Sequence, residues 1–357
     1  MIDLIEFTNF KALRKTSLKL LPFNLILGPN GSGKTSVLDA LRAAAHAAGQ
    51  EPIQHNPGQG PYKRNTSPLP EFSRRSLKSV TSKSGNEPVS VAFRFLAGHS
   101  FHFALEWLPN GPVERTIQDA TDPRQDRDEL NLALTKISSI RVYNLDAKAI
   151  AAPSPIIPGV EMQPSGAGLA AVLDELQNTE PERWESFVSE MREWFPEYDR
   201  PMLKVLPQGQ KSILLRTKNG QHKIDAQNLS QGTLVGLALL TLAYLPSPPT
   251  VVGLEEIDRG IHPRLLRHLQ DALYRLTHPN GFEEKRDPVQ VIATTHSPYL
   301  LDLYREHPDE VVLASKEGLE VRLKRLSDVE HFEDILGESP LRDVWYSGVL
   351  GGAAVQP

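Results

Sequence analysis

Hydrophobic and polar residues alternate along several short segments of the chain, and this period of two is typical of β-strands. Other segments are short, continuous apolar runs, the pattern of strands that are buried on both faces. The segments of either kind are 2–27, 89–95, 101–107, 139–143, 203–224, 250–254 and 289–293. Turn residues at Gly98, at Asn219-Gly220 and around Lys316-Glu317-Gly318 predict three hairpins.

Apolar residues spaced three and four positions apart predict helices. Segments with this spacing follow Thr35 and end at Gly49, begin at Leu169 and at Pro181, and run from Leu265 to Leu276. A further helix is predicted after Ser230, where the apolar run is continuous. A short helix is also predicted after the last hairpin. Because strands and helices interleave along the chain, the sequence predicts an α/β fold.

The composition is that of a globular protein, since 39% of the 357 residues are hydrophobic and 23% are charged. A net charge of -5 gives no overall reason to expect nucleic acid, so such a contact would need a local basic patch. The absence of cysteine excludes disulfides and thiolate metal sites. The amino terminus lacks the layout of a signal peptide, and the longest apolar run, 235–245, is shorter than the roughly 20 residues that span a bilayer. We therefore expect a soluble, cytoplasmic protein without a membrane partner.

The segment 28–35 reads Gly-Pro-Asn-Gly-Ser-Gly-Lys-Thr and lies between a predicted strand and a predicted helix. That order is the context of a phosphate-binding loop, and the structural alternative is a glycine-rich turn with a surface lysine. Glycines let successive peptide N–H groups point inward, and the helix adds the positive end of its dipole. Lys34 would neutralise the β- and γ-phosphates of a nucleotide, and the Thr35 hydroxyl would hold Mg²⁺. The residues predicted to bind here are Gly28, Pro29, Asn30, Gly31, Ser32, Gly33, Lys34, Thr35 and Ser36.

Two adjacent acids, Glu255 and Glu256, follow the predicted buried strand 250–254. A nucleotide site needs one carboxylate on the metal side and another that orients the attacking water. Glu255 is the candidate for the first role and Glu256 for the second. The alternative is a pair of acids on a solvated loop, which is common after a strand. The phosphate loop in the same chain favours the functional interpretation.

Three further residues are candidates for contacts with phosphate. Ser230, at the start of a predicted helix, has the residue type of an N-cap, which is its structural interpretation. In the functional interpretation, the Ser230 hydroxyl, the Gly232 N–H and the helix N-terminus form a second phosphate cradle for the nucleotide of a partner subunit. His296, after the last core strand, is either a structural histidine or a hydrogen-bond partner of the γ-phosphate.

Taken together, motifs along nearly the whole chain resemble the RecF-like branch of ABC-type ATPases, which includes SMC heads and OLD-family proteins. They are Phe7-Thr8-Asn9-Phe10-Lys11, the phosphate loop, Leu229-Ser230-Gln231-Gly232-Thr233, Glu255-Glu256 with the following Ile257-Asp258-Arg259-Gly260-Ile261-His262-Pro263, and Thr295-His296-Ser297-Pro298-Tyr299-Leu300-Leu301-Asp302. The resemblance implies a P-loop ATPase fold with a RecA-like core, an antiparallel β-subdomain and a helical lobe that carries the signature motif. Within a single ATPase domain, it predicts lobes at 1–160, 161–249 and 250–357.

The resemblance also assigns roles to residues. Lys34 and Thr35 fall at Walker A, Ser230 and Gly232 at the signature, Glu255 and Glu256 at Walker B, Asp258 at the D-loop and His296 at the switch histidine. Glu256, Lys34 and His296 are then the catalytic residues, Thr35 and Glu255 the metal ligands, and ATP and Mg²⁺ the cofactors. The implied working form is a homodimer with two ATP molecules, each held between Walker A of one subunit and the signature of the other. The implied role is DNA repair or phage defence beside a separate effector such as a nuclease.

The chain departs from the family pattern at two motifs and leaves a third unplaced. Glu255 stands where aspartate is usual, which lowers the expected rate of turnover, and Gln231 replaces the first glycine of the signature. Gln54 and Gln163 are both candidates for the Q-loop glutamine. An alternative function, motivated by Glu255, is an assembly module that binds ATP without hydrolysing it. A second is the nucleotide-binding subunit of a membrane transporter, against which the motif Asn9-Phe10 and the segment after His296 argue.

Residues 50–88 are rich in Pro, Gly, Ser and Asn and predict a long loop. The basic residues between Lys63 and Lys83, including Arg74 and Arg75, could contact the phosphates of DNA. A solvated loop is the alternative, so the sequence leaves DNA binding open.

Overall fold

The structure is a computed structural model that describes residues 1–49, 62–65, 88–97, 99–107, 113–119, 127–157, 159–207, 209–318, 320–330, 332, 340–347 and 350. Strands and helices interleave along these residues, which confirms the predicted α/β class. Of the predicted loop at 50–88, residues 62–65 form a strand, while Gln54, Arg74 and Arg75 lie outside the described residues.

The elements are as follows. The strands are β1 (Ile2–Phe10), β2 (Leu13–Lys19), β3 (Phe23–Leu27), β4 (Tyr62–Asn65), β5 (Val89–Ala97), β6 (His99–Trp107), β7 (Val113–Asp119), β8 (Arg141–Tyr143), β9 (Ser154–Pro155), β10 (Tyr198–Leu206), β11 (Gln210–Thr217), β12 (Lys223–Asp225), β13 (Val251–Leu254), β14 (Gln290–Thr295), β15 (Val311–Glu317) and β16 (Glu320–Arg325). The helices are α1 (Lys34–Ala48), α2 (Arg127–Ser138), α3 (Ala147–Ala151), α4 (Leu169–Thr179), α5 (Pro181–Trp194), α6 (Gln231–Ala243), α7 (Leu266–Thr277), α8 (Pro298–Leu301) and α9 (Leu341–Tyr346).

The three predicted hairpins are confirmed, because β5 pairs antiparallel with β6, β11 with β12, and β15 with β16. Two predicted strand boundaries are wrong. The strand predicted at 139–143 begins only at Arg141, since the Ser139 N–H donates to the Thr135 carbonyl at 3.1 Å and completes the end of α2. The segment 203–224 belongs to three strands, of which β10 begins earlier, at Tyr198.

The chain divides into two compact units. The first comprises Met1–Val142, Pro249–Gly253 and Val289–Pro357, and the second comprises Tyr143–Pro248 and Leu254–Pro288. These two units are defined by which residues pack together in space. The lobes predicted at 1–160, 161–249 and 250–357 are instead defined by the positions of the sequence motifs. Those lobes stay a prediction.

The first unit contains an antiparallel sheet with strand order β2-β1-β5-β6-β7-β4. In a second sheet, of order β16-β15-β3-β14-β13-β8, strand β3 is central and runs parallel to β14 on one side and β15 on the other. Every residue of β3 is buried. The Gln290 side chain ties β1 to this sheet, because it accepts from the Ile2 N–H at 2.9 Å and donates to the Ile2 carbonyl at 2.8 Å.

The second unit is built around α6. Residues 233–243 of this helix are all buried, which explains why its apolar run is continuous rather than amphipathic. Gly236 allows close packing against α5 and its end, since a Cβ there would lie 2.8 Å from the Phe195 ring and 3.4 Å from Trp194. A small sheet of β9 to β12 completes the unit. Among the described residues of the whole chain, no helix combines the length and apolar composition that crossing a membrane requires.

Candidate functional site

The phosphate loop begins where the buried strand β3 ends, and two of its glycines have backbone angles that favour glycine. Gly31 has a φ of 78° and Gly33 a φ of 88°. These left-handed conformations strain residues that carry a Cβ, and they turn the chain sharply from the strand into α1. The predicted strand, glycine-rich turn and helix are therefore confirmed as local structure.

Helix α1 begins at Lys34, and its first turn faces the loop. Gly33 is the N-cap and supplies no side-chain hydrogen bond to the first N–H groups. The Lys34 ammonium is nearly buried and donates to the carbonyls of Gly28, at 2.7 Å, and Pro29, at 2.9 Å. The phosphate loop therefore combines a positive side chain with a helix N-terminus that has no side-chain cap. This is the arrangement that binds anions.

Strands β15 and β16 pack directly beneath this loop. A Cβ on Gly28 would lie 2.4 Å from the Ala314 carbonyl oxygen, and one on Gly33 would lie 2.7 Å from a methyl group of Val321. Such distances exclude a larger side chain without movement of the hairpin. The Ser32 hydroxyl is buried in the loop and has no hydrogen-bond partner within the described part of the chain. An unsatisfied buried hydroxyl in a basic, glycine-rich loop fits a polyphosphate ligand.

His296 lies at the same edge of the sheet as the phosphate loop. Because β14 runs parallel to β3 with Thr295 opposite Leu27, the next residues, His296 and Gly28, both leave the sheet at the carboxyl ends of neighbouring strands. The His296 side chain is exposed, and the following turn is fixed by a hydrogen bond of 2.9 Å from the Ser297 N–H to the Thr295 hydroxyl. This is the position that the sequence predicts for a residue near the phosphates.

In the second unit, the two acids differ in backbone conformation. The Glu255 N–H donates to the Tyr143 carbonyl at 2.9 Å, which continues the strand pairing by one residue. Glu256 has a φ of 49°, which is rare for a residue with a side chain. Its carbonyl accepts from the Arg259 N–H at 2.9 Å, and the Asp258 carbonyl accepts from the Ile261 N–H at 3.0 Å. Glu256 is therefore held in a sharp turn at the strand end, as residues at functional sites often are.

Asn144, which the sequence analysis missed, contacts the first of these acids. Its side-chain amide donates to a carboxylate oxygen of Glu255 at 3.2 Å. The available signal was its place directly after the predicted strand that ends at Tyr143. Gln163, a candidate for the Q-loop, donates instead to the carbonyl of Glu161, two residues away, at 3.3 Å.

The signature segment caps α6 and packs against the loop that follows the acids. The Ser230 hydroxyl accepts from the Thr233 N–H at 3.1 Å, which confirms Ser230 as an N-cap. A Cβ on Gly232 would lie 2.4 Å from the Gly260 carbonyl oxygen. The glycine at 232 is thus required by a backbone contact within the same unit, a reason that the motif alone does not reveal.

The residues present also suit a magnesium ion that is bound mainly through a nucleotide. Within the described ranges, no three His, Asp or Glu residues lie together as a metal site. Mg²⁺ at nucleotide sites is typically held by one or two protein oxygens together with phosphates and water. The Thr35 hydroxyl in the first unit and the Glu255 carboxylate in the second are each an oxygen donor of that chemistry.

Comparison with known proteins extends these observations. A family model described as "AAA domain, putative AbiEii toxin, Type IV TA system" matches residues 23–302, a range that contains every candidate residue above. No curated protein matches the chain. An SMC head bound to the C-winged helix domain of ScpA is 16% identical, with a TM-score of 0.61 over 90% of this chain and 97% of that one. An SMC head domain with an extended coiled coil, from Pyrococcus furiosus and bound to the C-terminal domain of ScpA, is 14% identical, with a TM-score of 0.56 over 94% of this chain and 98% of that one. The predicted P-loop ATPase fold is confirmed.

Proposed function

Because this chain belongs to the AAA-domain family of AbiEii-toxin type and has the fold of SMC heads, we propose that it hydrolyses ATP to ADP and phosphate and that two copies close around two ATP molecules. The observation that carries the proposal is the phosphate loop. Lys34 and the uncapped first turn of α1 serve the same loop, in which Gly31 and Gly33 have left-handed backbones. That combination is suited to a polyphosphate.

Each residue has a role that its chemistry supports. Lys34 neutralises charge on the β- and γ-phosphates, and Glu256 orients the attacking water and accepts its proton. Thr35 and Glu255 would hold Mg²⁺, which supplies charge stabilisation at the phosphates when it is bound. His296 would donate a hydrogen bond to the γ-phosphate. Ser230, Gly232 and Asp258 would serve the nucleotide of the partner subunit.

Dimerisation follows from the two kinds of phosphate contact. Walker A surrounds a triphosphate on one side, and the signature motif of a second subunit would contact its far side. ATP would therefore join two subunits, and its hydrolysis would release them, which converts nucleotide state into a change of assembly.

The proposed partner, which responds to this change of assembly, is a separate protein. The SMC heads that share the fold are bound to ScpA, and the family description names a toxin of a type IV toxin–antitoxin system. We propose a role in phage defence or DNA repair, in which ATP-dependent closure of the dimer controls an effector such as a nuclease. DNA is the proposed second ligand of the complex, and the cytoplasm is the proposed location.

The test measures three quantities on the purified protein: ATP affinity, phosphate release and mass by light scattering. Lys34→Ala should lose at least tenfold in ATP affinity, whereas Lys218→Ala, at an exposed turn, should bind as the parent does. Glu256→Gln should bind ATP, lose phosphate release and accumulate as a dimer in Mg-ATP. A parent protein that binds no ATP would refute the proposal, and a Glu256→Gln protein that stays monomeric in saturating Mg-ATP would refute its dimer.

The second candidate, an assembly module that binds ATP without turnover, is favoured by the single observation of Glu255 at the usual aspartate position. The two candidates differ in steady-state phosphate release. If the parent and Glu256→Gln proteins release phosphate at the same rate while both bind ATP and dimerise, the assembly module is the correct function.

A further inference from the structure

The contact between Asn144 and Glu255 is part of a junction that holds Glu255 by two bonds from the same strand end. Its backbone N–H donates to Tyr143, at 2.9 Å, and its carboxylate accepts from the Asn144 amide, at 3.2 Å. These bonds involve consecutive residues, so they fix both the backbone and the side chain of Glu255 relative to β8. A carboxylate held in this way has few orientations left.

Asn144 is itself held in place. Its N–H donates to the Pro164 carbonyl at 2.8 Å, and two residues later the Asp146 N–H donates to Ser165 at 2.9 Å. The Asp146 side chain then caps α3 by accepting from the Ala149 N–H at 2.8 Å. The backbone on both sides of Asn144 is thus fixed, so its short side chain has a limited reach.

The chemistry of the pair suits a carboxylate that must stay available to a cation. An asparagine amide donates a hydrogen bond but carries no charge, so it orients a carboxylate without neutralising it. A lysine or arginine at this place would compete with a metal ion for the same negative charge. We propose that Asn144 is a positioning residue, which sets where the Glu255 carboxylate lies for Mg²⁺ bound with ATP; this inference rests on the proposed function.

The lengths of the two side chains supply the test. Glu255→Asp withdraws the carboxylate by about 1.5 Å, one carbon–carbon bond, and Asn144→Gln extends the amide by the same amount. Either change alone should break the contact, and the double variant Asn144→Gln/Glu255→Asp should restore it. A merely structural role for Asn144 predicts no such mutual rescue.

The experiment uses Mn²⁺ as the probe of the metal site. Electron paramagnetic resonance gives the affinity of Mn²⁺ for the complex of the full chain with ATPγS, and equilibrium binding in EDTA gives the metal-free affinity for ATP. Asn144→Ala and Glu255→Asp should each weaken Mn²⁺ binding about tenfold, with metal-free ATP affinity changed less than about twofold. In the double variant the restored contact orients a carboxylate that still lies about 1.5 Å back, so Mn²⁺ should bind more tightly than to Glu255→Asp alone but less tightly than to the parent.

A matched control is Asn178→Ala, which removes an exposed asparagine that donates to the Asp174 carboxylate at 3.0 Å. It should leave both affinities unchanged. If Asn144→Ala leaves Mn²⁺ affinity at the parental value, or if the double variant is as weak as the product of the single defects, the inference is wrong while the proposed function stands. If the parent protein binds no ATP in either assay, the proposed function falls and this inference with it.

Discussion

The Cα of Gly232 lies so close to the backbone of Gly260 that a methyl group at position 232 would come within 2.4 Å of the Gly260 carbonyl oxygen. Gly260 has a φ of 76°, and the Gln231 side chain covers it. The first turn of α6 and the loop after Glu256 therefore cannot move independently. In the proposed dimer both segments serve the nucleotide of the partner subunit, through Ser230, Gly232 and Asp258, so the contact would hold these three residues in a fixed arrangement.

We expect Gly232→Ala to separate the two segments, because the opposing atom belongs to the backbone and cannot rotate away. The free energy of unfolding should fall by about 1–3 kcal/mol, the usual cost of overpacking, and phosphate release should fall at least tenfold. Gly281→Ala is the matched control, since a Cβ there meets no atom within 4 Å. Thermal unfolding and phosphate release check both variants; equal behaviour of the two alanine variants would contradict the contact.

The glycines of the phosphate loop should differ in their tolerance of alanine. Both have positive φ, but a Cβ on Gly31 meets nothing within 4 Å, whereas one on Gly33 meets Val321 at 2.7 Å. In urea unfolding without nucleotide, Gly31→Ala should cost about 1 kcal/mol of backbone strain, and Gly33→Ala about 1–3 kcal/mol more. Adding Val321→Ala should recover part of the extra loss. If Val321→Ala recovers no stability in the Gly33→Ala protein, backbone strain alone accounts for the cost of alanine at position 33.

Glu256 should reverse the usual order of alanine and glycine. At most positions alanine is the more stable residue, because glycine loses more backbone freedom on folding. At a φ of 49° the Cβ is strained, so Glu256→Gly should be more stable than Glu256→Ala by about 1 kcal/mol. Both variants remove the carboxylate, so both should lose phosphate release. Urea unfolding compares them, and a more stable alanine variant would mean that the turn is relaxed in solution.

Tyr244 should contribute to the alkaline limit of stability. Burial, and the hydrogen bond of 2.6 Å that its hydroxyl donates to the Glu190 carboxylate, raise the pKa of this phenol. Because the folded state keeps its proton above the ordinary value of about 10, this stabilisation is complete below pH 10 and is lost as the pH rises beyond it. Tyr244→Phe should therefore cost about 1–2 kcal/mol at pH 8, and the difference from the parent should shrink above pH 10. Urea unfolding at pH 8 and at a pH above 10 measures the difference in unfolding free energy between the parent and Tyr244→Phe. If this difference does not change with pH, the pKa of Tyr244 is not raised.

Much of the fold was predictable from local pattern. Alternation around Gly98 and Asn219-Gly220 is enough to define hairpins, because the turn and the register are properties of adjacent residues. The phosphate loop is similar, since its glycines, lysine and flanking elements are contiguous. By contrast, β7 lies in a polar segment, and its pairing with β6 decides its structure. In α2, Leu130, Leu134 and Ile137 have helical spacing, a signal that the sequence analysis missed.

The contacts that organise the site were not predictable. Asn144 reaches Glu255 across 111 positions because β8 neighbours β13 in the sheet, and strand order is not encoded in either segment alone. The same holds for Val321 beneath Gly33. Gly232 shows a subtler case, in which the motif indicates the correct residue type, but the backbone contact that requires it depends on the tertiary structure.

The support of the phosphate loop by β15 and β16 has a consequence for biosynthesis. The phosphate loop is translated well before Ala314 and Val321, which pack beneath it. A nascent polypeptide that still lacks β15 and β16 would contain the phosphate loop without the strands that support it. We therefore expect firm ATP binding only after β15 and β16 have been synthesised, which would keep a nascent chain that lacks them from dimerising prematurely.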